Sequence, residues 1–295
     1  MGNNNLFAII VNFCNSTDTI ETVNSLLQSS VVPTIVVVDN ASVDDSYNDL
    51  KRNLPSDVVL IRAEYNNGFS AGNNIGIKYA LSHNAHYLIL INNDTKVDKY
   101  MISNLLKYTN QHTVTSPKIY YYAHPDRIWF GGGRLEKYSG RFLHVGYNMT
   151  DSSSFNEMLS CDFLSGCCFM MTSDIVRKVG LLDESYFMYY EDVDYSIRLK
   201  NEKIDLLMIP NAKLWHKVGA SSGGDLSRFN IYYGNRNRLF LQKKFKFSFY
   251  VRMLTFISRI FLLLKGIILN TNQKYIWYSL LDYYFNRMGK QERRH

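Results

Sequence analysis

Four stretches in the first 95 residues carry apolar side chains in nearly continuous order: LFAIIVNF (6–13), TIVVVDN (34–40), VVLIRA (58–63) and YLILIN (87–92). Each is short, rich in β-branched residues and apolar on both faces, which predicts strands of a parallel sheet buried on two sides. Helical segments are predicted between them. Asn15-Ser16-Thr17-Asp18 offers caps for a helix over 19–29, a short helix follows over 44–53, and a polar loop over 66–74 leads into a helix over about 74–84. Strands alternating with helices predict an α/β fold with a mostly parallel central sheet and helices on both faces.

The pattern becomes less regular further on. WFGGGRLEKYSGRFLHVG (129–146) is Gly-rich and predicts a hairpin or loop excursion, and FLSGCCFMMT (163–172) reads as another buried strand. A helix is predicted over 173–179 and a second from near Glu191 to Lys203. LLMIP (206–210) and KLWHKVG (213–219) read as two short closing strands. After Ser227 the chain is aromatic, aliphatic and basic together, and its longest uncharged apolar run, Ile260 to Leu264, is far too short to span a bilayer. This division predicts one α/β domain over 1–227, regular over about 1–95 and less regular over about 96–227. A helical extension over 228–295 would follow.

Charge sharpens that division. Residues 228–295 hold 14 Lys or Arg against Asp282 and Glu292, whereas the first 227 residues hold 19 basic and 24 acidic residues. A basic, apolar tail on a slightly acidic body points to an anionic membrane surface, with a homodimer interface or a cap on the catalytic domain as the competing roles. No nucleic-acid-binding motif accompanies the basic tail. Cys14, Cys161, Cys167 and Cys168 have no CxxC spacing or disulfide framework, which fits reduced thiols in the cytoplasm. The opening MGNNNLFAIIVNF lacks a basic n-region, so no secretory signal is expected, and Leu6 is wrong for myristoylation.

The strand ends carry the candidate chemistry. Asn12, Asp39, Glu64 to Asn67 and Asn92 to Asp94 follow the four apolar runs, and in a parallel sheet such ends share one edge. Asn92-Asn93-Asp94 alone can be a simple turn. A second acidic cluster, Glu191, Asp192 and Asp194, follows the wholly apolar and aromatic YFMYY; the helix dipole accounts for one or two of those carboxylates. Trp215-His216 adds an imidazole. Asp94 and His216 together offer oxygen and nitrogen ligands to a divalent ion, a mixture that suits Mn2+, whereas Mg2+ prefers oxygen and water.

These motifs resemble a known family. The opening IIVNFCN, the strand end VVDNAS, the loop NNGFSAGNNIGI, the strand end NNDT, the segment DRIWFGGGRL…SGRFLHVG and the late YFMYYEDVDYSIRL with its following WH are similar to family 2 glycosyltransferases of the GT-A fold. The likeness is specifically to bacterial rhamnosyltransferase-type members and covers about residues 5–240. It implies that Asp94 holds a divalent metal, Mn2+ or Mg2+, while Asn92 and Asn93 contact donor sugar or ribose. The family writes this strand end as DxD, and here only the last carboxylate stands. Asp39 would accept a hydrogen bond from the nucleotide base. Asn12 and the loop with Asn67, Gly68, Gly72 and Asn73 would line the donor pocket. Asp192 matches the catalytic base, with Glu191 orienting the acceptor and Asp194 capping the helix. His216, 24 residues after Asp192, matches a metal-binding histidine. Gly166, Trp129 and Tyr190 fall on the acceptor side.

The resemblance thus implies an inverting transfer of a sugar, L-rhamnose from dTDP-L-rhamnose, to a glycan or polyprenyl-linked acceptor in bacterial surface polysaccharide synthesis (O-antigen or capsule). The enzyme would be cytoplasmic, peripheral on the inner face of the plasma membrane. A UDP-sugar donor (galactosyl, galactofuranosyl or glucosyl) remains the alternative. A sugar nucleotidyltransferase would want an early Lys or Arg for a triphosphate, and residues 5–20 contain none.

Overall fold

β1 (Leu6–Asn12) runs into α1 (Ser16–Leu27), whose first turn is capped by the Asn15 side chain accepting from the Asp18 amide. β2 (Thr34–Asp39), α2 (Ser46–Asn53), β3 (Val59–Arg62), α3 (Gly68–Ser82) and β4 (Tyr87–Asn92) continue the alternation. β4, β1, β2 and β3 lie side by side and parallel. Ile9, Ile10, Val36 to Val38 and Leu88 to Ile91 are buried at their centre, as runs covered on both faces must be. This computed structural model describes residues 5–218 and 227–291.

Next come β5 (Thr95–Val97), α4 (Met101–Leu106), β6 (Thr113–Tyr121) and β7 (Ile128–Phe130). The hairpin of β8 (Gly133–Glu136) and β9 (Arg141–His144) stands apart as its own small sheet. β10 (Leu159–Ser160), β11 (Cys168–Thr172), α5 (Ser173–Val179), α6 (Glu191–Asn201) and β12 (Asp205–His216) complete the α/β part. The main sheet runs β10-β12-β6-β11-β4-β1-β2-β3, with β5 added on β12 and β7 on β6. β11 is antiparallel to β4, so the sheet is mixed and its parallel part is built from the first 92 residues.

Three predicted boundaries move. α3 begins at Gly68, not near 74, so most of the predicted loop is helix. A Cβ on Gly72 would stand 2.7 Å from Val11 Cγ1 and one on Gly76 2.4 Å from Ile9 Cγ2. Close seating of the helix on β1 thus overrides the poor helix propensity of this stretch. The two closing strands are one, β12, which bulges between Ile209 and Lys213 where Pro210 supplies no N–H; Gly219, the end of the second predicted strand, lies outside the described residues. β6 escaped prediction because Pro117 and Lys118 interrupt its apolar pattern. Lys118 is nevertheless buried, with its Nζ 2.9 Å from both Asp151 carboxylate oxygens.

The C-terminal segment is helical: α7 (Arg228–Lys244), α8 (Phe249–Ile268) and α9 (Ile276–Tyr284). α7 docks on the α/β part through Tyr232 and Tyr233, which are buried against Phe187 and its neighbours. α8 is different: Phe249, Met253, Phe256, Ile257, Phe261 and Leu264 form an exposed apolar stripe. No described helix is long and apolar enough to cross a membrane.

Candidate active site

Parallel register delivers the strand ends to one edge. Asn12 pairs directly with Asp39 across β1 and β2, and Asn92 pairs with Val11 across β4 and β1. Asn12 is fully buried and its amide is spent inside the protein: Nδ2 donates to Asp39 Oδ2 at 2.9 Å, and Oδ1 accepts from Thr19 Oγ1 at 2.8 Å. Ser42 completes the grip on Asp39, donating from its backbone N–H to Oδ1 and from Oγ to Oδ2. Asn12 therefore positions Asp39 instead of lining an open pocket. Asp39 thus accepts from the backbone three residues on, a contact that sequence reasoning passed over.

Around the start of α3 the predicted donor loop divides into separate tasks. Asn67 is exposed at the helix start and makes no side-chain cap. Gly68 adopts φ +92°, and a Cβ there would lie 2.1 Å from the Phe187 carbonyl oxygen. Gly72 is the packing contact on Val11 already described. Asn73 is buried and donates back to the Phe69 carbonyl at 2.9 Å. Asn40 and Asn66, both outside the predicted set, tie the loop together: Asn40 Nδ2 donates to Asn66 Oδ1 and to the Gly68 carbonyl.

β5 folds back from β4 and pairs with β12, setting Thr95 opposite His216. Asp94 Oδ1 and His216 Nε2 are 3.0 Å apart. Both side chains are buried, yet Asp94 Oδ1 and Asn92 Oδ1 have no hydrogen-bond partner. His216 Nε2 also lies 3.5 Å from Asn92 Nδ2, so all three side chains meet at one point. Two adjacent ligands of an octahedral ion bound at about 2.1 Å stand roughly 3.0 Å apart, so the pair fits a divalent cation. No group of three or more His, Cys, Asp or Glu gathers among the described residues, so the rest of the coordination would come from phosphate and water. Asn93 faces α1 instead, donating to Thr19 Oγ1 at 3.0 Å. Trp129 meets the His216 ring edge to face at 4.7 Å and His144 at 4.9 Å. Burial pushes the His144 imidazole pKa down, and the nearby His216 adds to this.

The second carboxylate cluster faces the first across Cys167. Its thiol is held protonated by burial and then by the charges of Asp94, Cys168 and Asp192. Asp192 Oδ2 accepts from the Gly166 N–H at 2.8 Å and Oδ1 from the Val193 N–H at 2.8 Å. A Cβ on Gly166 would lie 3.3 Å from Asp192 Cβ. Glu191 is buried, and its Oε2 has no partner. Burial raises both carboxyl pKa values, Glu191 well above the carboxylate range because Asp192 and Asp194 add like charge. The two amide donors counter that rise at Asp192, so of this coupled pair Glu191 keeps its proton and Asp192 ionises first. Tyr189 and Tyr190, at φ 70° and 73°, are both left-handed just before this helix. Asn237 of α7 holds them by donating to the Met188 and Tyr189 carbonyls.

Asp194 does not cap the helix, contrary to expectation. It is fully buried and pairs with Arg198 at 2.8 Å and with Lys244 of α7. A cleft of about 680 Å3 lies at the opposite sheet edge around His86, His112 and Arg177, away from these carboxylates.

Residues 8–180 match the family model described as Glycosyl transferase family 2, more than half of the chain. The chain belongs to glycosyl transferase family 2. It is 26% identical over 237 residues to the low-salt glycan biosynthesis hexosyltransferase Agl10 of Haloferax volcanii, covering 79% of this chain and 74% of that one. It is 27% identical over 233 residues to the dTDP-rhamnosyl transferase RfbF of Shigella flexneri, covering 75% and 71%. Among solved structures, GalNAc-T7 with UDP, GalNAc and Mn2+ superposes with a TM-score of 0.56 at 19% identity, over 72% of this chain and 43% of that one. That last likeness is one of fold. This family 2 member is a glycosyltransferase built on a GT-A-like mixed sheet.

Proposed function

We propose that this glycosyltransferase moves L-rhamnose from dTDP-L-rhamnose to a hydroxyl of a glycan or lipid-linked acceptor with inversion. The observation that carries the reading is the pairing of two clusters across Cys167: a buried Asp94–His216 pair whose Asp94 Oδ1 has no hydrogen-bond partner, and a carboxyl pair in which Asp192 receives two amide hydrogens and Glu191 Oε2 none. The dTDP-rhamnosyl transferase among its relatives supports the choice of donor. A divalent ion, Mn2+ or Mg2+, held by Asp94 and His216 would neutralise the departing diphosphate. Asp39, braced by Asn12 and Ser42, receives the base, and Asn92 borders the sugar side, while Asn93 braces α1 from behind. Asp192, fixed by the Gly166 amide, takes the proton of the acceptor hydroxyl as its oxygen attacks the anomeric carbon. No protein nucleophile is needed, so one displacement inverts the centre.

Glu191 stays protonated beside the acceptor, with Gly166, Trp129 and Tyr190 shaping that side. The exposed stripe of α8, flanked by Arg252 and Lys265, docks on anionic lipid at the inner face of the membrane, where a lipid-linked acceptor resides. Thermal-shift titration with dTDP, UDP, GDP and CDP, each with Mn2+ and with EDTA, tests the donor reading. A nucleotide at a hundred times its Kd adds about 2.7 kcal/mol of stability. The expected result is a Mn2+-dependent shift with dTDP that exceeds the others. A larger shift with UDP would move the assignment to a UDP-sugar donor on the same machinery.

A further inference from the structure

Three arginines converge where the β8–β9 turn, α7 and α8 meet. Arg141 of β9, Arg238 of α7 and Arg259 of α8 line a cavity of about 590 Å3 with Ser139, Thr255 and Ser258. None of the three has a carboxylate within ion-pair distance among the described residues. Arg238 donates from one Nη to the Ser139 and Gly140 carbonyls at 3.1 and 3.4 Å, while its buried Nε has no partner. Arg259 donates to Asn235 Oδ1. Burial, reinforced by the like charges of Arg238 and Arg141, pushes its guanidinium pKa down to about 10, so it is still a cation at neutral pH.

Like charges held together without a counter-ion repel, and a bound anion relieves them. Guanidinium forks also match phosphate oxygens in a bidentate manner. The cavity's place says which anion. Half-buried Tyr190, the residue before Glu191 and Asp192, meets Phe142 edge to face at 6.3 Å, and Phe142 adjoins Arg141, so the cavity lies close to the acid pair. The helix that supplies Arg259 also exposes Phe256, Ile257 and Phe261. The cavity shares no residue with the Asp94–His216 pair, which serves the donor diphosphate.

We propose that Arg141, Arg238 and Arg259 bind the phosphate or diphosphate of the acceptor, seating a polyprenyl-linked glycan so that its hydroxyl faces Asp192. This rests on the lipid-linked reading of the acceptor given above. The test is calorimetric titration of the full chain with inorganic pyrophosphate in EDTA, which requires neither donor nor metal. A wrong donor assignment therefore leaves it intact. Arg141→Glu should weaken binding about ten-fold or more, and Asp94→Ala should leave it unchanged. Arg141 is exposed, so its variants should melt with wild type, and Arg141→Gln repeats the test without charge reversal. Unchanged affinity in both Arg141 variants would overturn the proposal, as would loss of binding in Asp94→Ala. A second arm compares phosphatidylcholine vesicles doped with a long-chain polyprenyl phosphate or with phosphatidylglycerol. Selective loss of the polyprenyl phosphate response in Arg141→Glu supports an acceptor site; equal loss of both would make the cavity a general headgroup site and refute this one.

Discussion

At the scale of single residues, two adjacent carboxyls of similar chemistry are separated by what their oxygens touch. Asp192 receives two amide hydrogens, and Glu191 leaves a buried oxygen without any. Asp192→Asn should therefore reduce transfer by about 10²–10⁴-fold, the ordinary contribution of a general base, while the thermal shift with donor nucleotide persists. Turnover at the wild-type rate would remove Asp192 from the base role. Glu191 makes a prediction of opposite character. Its folded pKa is raised, so folding takes up a proton there, and the resulting stability is complete below the ordinary carboxylate pKa and fades as pH rises through the folded value. Glu191→Gln cannot ionise. In metal-free buffer it should melt above wild type at pH 8, and the gap should close near pH 4. A gap independent of pH would place the charge elsewhere.

At the scale of elements, α3 owes its position to missing side chains. Gly68→Ala would bring a Cβ against the Phe187 carbonyl from a left-handed backbone, at a cost of about 2–4 kcal/mol by urea unfolding. Gly234 of α7 has nothing within 4 Å, and Gly234→Ala should instead stabilise by about 0.5–1 kcal/mol. Equal losses would mean that the contact with Phe187 has no energetic weight. This contrast also explains what could be read from the chain beforehand. The four parallel strands announce themselves because burial on both faces demands continuous apolar runs. β6 did not, because its Lys118 meets Asp151, 33 positions further on, only once the chain has folded back. Likewise Asp94 and His216 were visible as ligand types, whereas the grip of Ser42 on Asp39 and the arginine cavity arise from contacts that no local pattern encodes.

At the scale of the whole molecule, the C-terminal helices combine a proposed attachment surface with a brace. The proposed attachment predicts that full-length protein floats with phosphatidylglycerol vesicles, each well-placed Lys or Arg adding about 1 kcal/mol. Phe256→Glu, Ile257→Glu and Phe261→Glu together should abolish flotation without altering the melting temperature, because all three side chains are exposed. Undiminished flotation would assign the stripe to another partner. The brace is the pair of contacts from α7: Lys244 on buried Asp194, and Asn237 on the carbonyls beneath the left-handed tyrosines. Such contacts set a rule for recombination. A chimera that joins one member's first 227 residues to another's tail cuts through them, although the sequence changes character there. Acceptor preference should transfer between relatives only when residues 186–194 and α7 travel together, as one inherited block.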